Sequence, residues 1–141
     1  MNAYSLLFTL AAIGISETVY LIRQRSMEEK PICPIGGGCV KVLTSPYNRI
    51  FGMHNDLLGL LFYSWTAFLA ALAVIGVPPI EAWLVFVILN VSAAAIMSAY
   101  FVFLQWRVIK AWCFWCLMSA ATVAGMAIIL MSEQLHLLRA V

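Results

Sequence analysis

The sequence predicts an all-α membrane protein: a four-transmembrane-helix bundle with a long cysteine-bearing loop and a short amphipathic helix between spans one and two. Three observations carry that expectation. Of the 141 residues, 65% are hydrophobic and only 10% charged, whereas water-soluble domains are near half apolar and a quarter charged. Mean hydropathy is +0.99, and so little polar surface would not keep a fold of this size in water. The apolar residues fall in long uninterrupted stretches, while most of the charge falls in one connection between them.

The stretches set the spans. Ala3 to Ile22 is interrupted only by Glu17, and Leu57 to Val77, Ala82 to Leu104 and Trp112 to Met131 carry no charge. Each supplies the roughly 20 residues, about 30 Å of helix, that a bilayer core requires. A backbone in lipid must satisfy its own hydrogen bonds, so these are helices and not open strands. The first stretch is too long for a signal-peptide core and lacks a small-residue cleavage site, so it is expected to be a permanent span. Residues 1–141 are expected to form one membrane domain. The formal charge is only +2 and the basic residues are scattered, which argues against nucleic-acid binding.

The connections differ. Gly76-Val77-Pro78-Pro79-Ile80-Glu81 is expected to be a tight turn, since its prolines cannot continue a helix. Gln105 to Ala111, with Arg107 and Lys110, is expected to join spans three and four as a loop. The long connection runs from Arg23 to Asp56, and a connection of that length in a compact domain is usually functional. Within it, Pro31 to Gly38 should be irregular because three consecutive glycines restrain the backbone little. Cys39 to Thr44 then fits a short helix with Cys39, Val42 and Leu43 on one face, lying half-buried at the membrane surface. Ser45-Pro46 should end it, because the residue before proline is pushed out of the helical region.

Four cysteines occur as two pairs. Cys113-Phe114-Trp115-Cys116 opens the fourth span, where exposed amides and the helix dipole favour a thiolate. Two inert buried cysteines, or half of a metal site, fit that motif equally. Cys33 and Cys39 flank Pro-Ile-Gly-Gly-Gly, a spacer flexible enough both for a disulfide and for releasing Cys39 to another partner. One pair in a mobile loop and one at a helix start permit thiol–disulfide exchange, provided that spans one and four pack together. A zinc site using all four cysteines would call for two short knuckles, and only one is present.

The ordered set of motifs resembles the vitamin K epoxide reductase family over essentially the whole chain. The family's loop cysteines match Cys33 and Cys39, and its CxxC matches Cys113 and Cys116. Its Ser/Thr six residues after the second loop cysteine matches Ser45, its following aromatic Tyr47, and its FG step Phe51-Gly52. Its asparagine four residues before a glycine matches Asn55 before Gly59. Two departures stand out. The loop pair has five intervening residues, fewer than in vertebrate members, and Ala120 occupies the place of a vertebrate tyrosine four residues after the second CxxC cysteine. The latter argues against vitamin K epoxide itself as substrate.

The resemblance implies a quinone-dependent thiol:disulfide oxidoreductase that promotes protein disulfide formation. A thioredoxin-like protein, expected to be a separate chain, would reduce Cys33–Cys39. Cys39 would pass electrons to Cys113, and Cys116 to a lipid quinone of the ubiquinone or menaquinone type. Asn55 would hydrogen-bond a quinone oxygen, with an interfacial polar residue as the alternative reading. Ser45 would line the same site, or merely turn the loop. A bacterial quinone-linked thiol oxidase of similar bundle architecture carries its CxxC early and its separated pair late, the reverse of the order here. The non-enzymatic alternative is a membrane carrier that binds a metal through the four cysteines.

Other residues have plainer readings. Tyr47 and Phe51 fit an interfacial aromatic belt. His54 fits either a proton donor or a hydrated interfacial histidine. Glu17 is costly within a span, but near the end of that span it is expected to reach water, and it is left out of the site. Orientation follows from charge. Arg23, Arg25, Lys30, Lys41, Arg49, Arg107 and Lys110 fall on the cysteine side and only Arg139 on the other, so the cysteine face is expected in the cytoplasm. The resemblance to bacterial and archaeal members implies the plasma membrane of a prokaryotic cell. The better-known members of the resembled family oxidise thiols outside the cytoplasm, which makes the outer face the alternative.

Overall fold

The computed structural model describes residues 3–140, with side chains through residue 135. Four helices are long and apolar enough to cross a membrane: α1 (Ala3–Ser26), α3 (Asn55–Ile75), α4 (Ile80–Phe103) and α5 (Phe114–Ala140). Between the first two lies the short helix α2 (Gly38–Leu43). A 3-10 turn at Pro46–Asn48 follows, then a two-stranded hairpin in which β1 (Arg49–Ile50) pairs antiparallel with β2 (Met53–His54). Each long helix packs on two others in the ring α1–α3–α4–α5 and back to α1. The expected four-span α-helical bundle is therefore the observed fold.

Small residues set the closest approaches, as is usual where lipid supplies no hydrophobic drive between helices. Gly14 of α1 lies flat against the Tyr63 ring of α3, and any added Cβ would collide with it. One turn on, an added Cβ at Gly59 would come within 3.0 Å of Thr18 Cγ2. The Tyr63 hydroxyl reaches α5, 2.7 Å from the Ser119 hydroxyl and 3.1 Å from its carbonyl. Tyr63 thus ties three helices together. Beyond it toward the termini, Leu7, Ala11, Leu69, Val87, Val91, Val123 and Met126 form the apolar core. Phe68, Ile75, Leu89, Ile96, Ile128 and Met131 project outward, as a lipid-facing surface would.

Three local expectations need correction. Gln105 to Ala111 is not a free loop: Leu104–Ile109 continues α4 as a turn of π-helix, and Lys110 reverses the chain in the left-handed region at φ 51°. Leu104, Trp106, Val108 and Ile109 keep enough apolar surface for the turn to stay wound, although Gln105 and Arg107 gave the run the composition of a connection. The long connection is shorter and more ordered than its composition implied, because α1 extends to Ser26 and α3 begins at Asn55. Glu17 does not reach water; it is 8% exposed and faces the bundle interior. The turn after α3 follows its composition: Gly76 adopts φ 79°, and the amides of Gly76 and Val77 close on Ala73 and Leu72.

Candidate redox site

At the loop end of the bundle a second apolar cluster contains all four cysteines. Cys39, Val42 and Cys113 are its buried centre, with Cys33, Leu43, Ile109, Phe114, Trp115 and Cys116 packed against them. Cys33 and Cys39 are joined in a disulfide, their Cα atoms 5.9 Å apart. Cys113 and Cys116 are free thiols. Cys39 and Cys113 are fully buried, while Cys33 and Cys116 are only partly so.

α2 brings Cys39 to Cys113. The stretch runs as expected, with Cys39 and Val42 on its buried face and Lys41 outward. Its first residue, Gly38, lies against the backbone carbonyl of Trp112, leaving no room for a side chain. Beyond Thr44, the Ser45 hydroxyl donates to the Val42 carbonyl at 2.7 Å and Asn48 Nδ2 to the Leu43 carbonyl at 2.7 Å. These bonds satisfy carbonyls left open at a helix C-terminus. The disulfide loop is held on its other flank by Ile32. Tyr20 of α1 accepts the Ile32 amide at 3.2 Å, and the Trp115 indole donates to the Ile32 carbonyl at 2.8 Å. The Tyr20 and Trp115 rings pack together with centroids 4.5 Å apart. Spans one and four therefore do meet beside the loop.

Cys113 caps α5 with its own sulfur. The Cys113 carbonyl accepts the Leu117 amide at 3.0 Å, opening the helix, and the Cys116 amide lies 3.4 Å from Cys113 Sγ. This is the position in which Ser or Asp side chains cap the third amide of a helix. The Cys116 thiol and the Cys116 and Trp115 amides hydrogen-bond that sulfur and hold it below the ordinary thiol range, against the opposing effect of burial. Gln105, 1% exposed in the π-turn, accepts the Cys113 amide on Oε1 at 2.8 Å and so fixes the cap. Single π-turns in α-helices recur at functional sites.

Cys116 faces the other way, into a cavity of about 270 Å³ between the four long helices. Its walls are mostly apolar, among them Leu21, Leu58, Phe62, Met97, Phe101 and Val123, with a few polar groups at the two ends. At the loop end are Asn48, Asn55 and Asp56; deeper are Glu17, Tyr63, Asn90 and Ser119. Asp56 is buried and paired with Arg25, which reaches both carboxylate oxygens. Asn90 is anchored on Thr66 Oγ1 at 2.9 Å. An apolar pocket with few orienting polar groups is the usual form of a small-molecule site.

The sequence-derived residues divide accordingly. Asn55 opens α3 and lines this cavity with Cys116. Ser45 does not: it borders a separate crevice of about 20 Å³ beside Asn55, Gln105 and Cys116, with its hydroxyl already committed to α2. Ala120 is at the cavity wall, while Tyr47 and Phe51 are exposed on the loop surface. Sequence reasoning passed over Glu17, Tyr63 and Gln105. A carboxylate, a phenol and an amide interrupting apolar runs were the available signals.

No curated protein matches this chain. The sequence does match the model of the Vitamin K epoxide reductase family over residues 5–131, which takes in all four cysteines and every helix that lines the cavity. The chain is therefore a member of the Vitamin K epoxide reductase family, an oxidoreductase family, and has four helices able to span a membrane.

Proposed function

We propose that residues 1–141 form a single-domain membrane thiol oxidase, which takes electrons from a thioredoxin-like protein through Cys33/Cys39, relays them to Cys113/Cys116 and reduces a lipid quinone. One observation carries this reading: a disulfide and a dithiol share one apolar cluster, the dithiol's second sulfur facing a cavity among the helices.

The asymmetry of burial orders the steps. The partner's thiolate attacks Cys33, the less buried sulfur, and Cys39 leaves as a thiolate; the partner's second thiol then resolves that mixed disulfide, leaving the partner oxidised and Cys33 reduced. Cys39 next attacks Cys113 of an oxidised Cys113–Cys116 pair, and Cys116 departs. Cys33 closes back on Cys39, releasing Cys113 as a thiolate, which its capping bonds stabilise as a leaving group. The resulting state, loop pair oxidised and CxxC reduced, is the one observed.

The cavity suits a quinone headgroup: it is largely apolar, is bordered by Cys116, and carries a hydrogen-bonding side chain, Asn55, at the loop end. A bound quinone supplies a two-electron, two-proton acceptor. Asn55 orients one ring oxygen and stabilises charge developing on it. Ser45 supports that end of the site indirectly, by holding the C-terminus of α2. The competing reading, a metal carrier using four cysteine sulfurs, needs thiolates that the Cys33–Cys39 bond consumes. The family resemblance suggests a prokaryotic plasma membrane, and the charge bias favours the cysteine face inward; the Arg139 side chain, the one basic group on the opposite face, lies outside the described residues.

The test is direct. Purified protein should oxidise a thioredoxin-like dithiol only when ubiquinone or menaquinone is supplied, with one quinol formed per disulfide. Oxidation at the same rate without quinone, or stoichiometric metal binding by the reduced protein without turnover, would overturn the proposal.

A further inference from the structure

Reduction of a quinone to a quinol consumes two protons as well as two electrons, and thiol–disulfide exchange places at most one of those protons, on Cys116, beside the cavity. The protons need a carrier inside the bundle. Among the described residues, the ionisable groups lining the cavity are Glu17 from α1, Asp56 and Tyr63 from α3, and Cys116 from α5; α4 contributes Asn90 and Ser98, which do not ionise. Asp56 is occupied by Arg25. The Tyr63 hydroxyl is held by Ser119. Glu17 has the Thr122 hydroxyl of α5 beside its carboxyl but no ion-pair partner among the described residues, and one of its oxygens is left unsatisfied. It is 8% exposed, and its Oε2 is the one buried side-chain oxygen or nitrogen among the described residues with no hydrogen-bond partner.

An ionisable group within a bilayer span is expensive and persists where it serves a pathway for ions, protons or substrate. Its depth fits such a use. Gly14 packs on Tyr63 and Thr18 on Gly59, so Glu17 sits beside the stretch of α3 between Gly59 and Tyr63. Asn55 lies one turn nearer the loop than Gly59, about 6 Å along the helix. Tyr20 packs on Trp115, which puts Glu17, three residues earlier on α1, about one turn deeper than the Trp115–Cys116 step. Asn55 and Glu17 thus border opposite ends of one apolar chamber, with Cys116 on its wall.

We propose that Glu17 is the proton-transfer group of this cavity, carrying the proton of the Cys116 thiol to the quinone oxygen remote from Asn55. The inference rests on the function proposed above. Cys113 enters the step as a thiolate, its proton already lost to water, while Cys116 still carries one. As the Cys113–Cys116 bond forms, two electrons leave the sulfur pair for the quinone. The Glu17 carboxylate accepts the Cys116 proton and passes it to the deep oxygen, and water at the loop end supplies the second proton beside Asn55. Two thiol protons are lost overall and two are gained by the quinol, and Glu17 returns to its starting form.

The test compares wild type with Glu17→Gln and Glu17→Asp in detergent or nanodiscs. The CxxC pair is first reduced and then mixed with a short-chain quinone in a single turnover. Glu17→Gln should bind the quinone within about threefold of wild type, followed by quenching of tryptophan fluorescence. It should exchange normally with a dithiol at Cys33–Cys39, yet form quinol at least about 100-fold more slowly, the usual worth of a positioned proton donor. Glu17→Asp should recover part of that loss. Infrared difference spectra should show a carboxyl band changing between the reduced and oxidised states of the wild type, shifted in Glu17→Asp and absent in Glu17→Gln. Wild-type quinol formation by Glu17→Gln, or an infrared difference unaffected by the substitution, would overturn the role of Glu17 alone. Failure of wild-type protein to form quinol at all would overturn the proposed function, and this inference with it.

Discussion

Gly38 rests directly on the backbone carbonyl of Trp112, with no space between them for a Cβ atom. That contact seats the N-terminus of α2 on the segment preceding α5, and with it brings Cys39 into the same buried cluster as Cys113. A side chain at residue 38 must lift α2 away. Gly38→Ala is expected to slow exchange between the two cysteine pairs at least tenfold, while dithiothreitol-driven quinone reduction directly through Cys113 and Cys116 stays near wild type. Stopped-flow measurement of both reactions checks this, and equal slowing of both would instead indicate general damage to the bundle.

The division of labour among the cysteines leads to a second expectation. Cys113→Ala and Cys116→Ala should each abolish quinone reduction with any donor. Cys33→Ala and Cys39→Ala should abolish it with a thioredoxin-like donor, yet retain it with dithiothreitol, which is small enough to reach the CxxC pair. Full dithiothreitol-driven turnover in Cys116→Ala would refute the relay as written.

For Asn55, one hydrogen bond to developing charge is worth roughly 1.5–3 kcal/mol, about ten- to a hundredfold in rate or affinity. Asn55→Ala is expected to lower kcat/KM for quinone by that factor without loss of helicity, as followed by circular dichroism. Unchanged kinetics with several quinones would reduce Asn55 to a polar residue at the membrane face.

The capping of α5 by a sulfur makes the chemistry pH-dependent in a definite direction. Because the Cys113 thiol titrates below the ordinary thiol range, its thiolate, and with it the rate at which the reduced CxxC pair reduces quinone, should be fully present above that lowered pKa and lost as pH falls through it. Removing the hydrogen bond from the Cys116 thiol should reverse the shift: in Cys116→Ala the titration of Cys113, read from thiolate ultraviolet absorbance, should move to higher pH. A titration unchanged by the substitution would place the cause elsewhere.

Orientation is open to a direct measurement. With the cysteine face in the cytoplasm, both termini of a four-span chain lie outside. A reporter active only in the periplasm or extracellular space should therefore be active when fused to the C-terminus. A cytoplasmic C-terminus would place the same chemistry on the outer face.

The amino-acid sequence by itself determined the number of spans, the surface helix around Cys39 and Val42, and the pairing of cysteines by spacing. These depend on local quantities: run length against bilayer thickness, backbone hydrogen bonding in lipid, and the places where glycine and proline stop a helix. It did not reveal which faces of the helices meet. In lipid the outward side of a helix is as apolar as the inward side, so Phe68 and Leu69 read alike although one is exposed and the other buried. Only the tertiary structure decided that Glu17 turns into the bundle, because a carboxylate's access to water depends on which helices flank it. The same holds for Gln105. Its run reads as a polar connection until the π-turn and the Cys113 amide account for it. The meeting of Cys39 and Cys113, far apart in the chain, likewise required the packing of α1 on α5 and the missing side chain at Gly38.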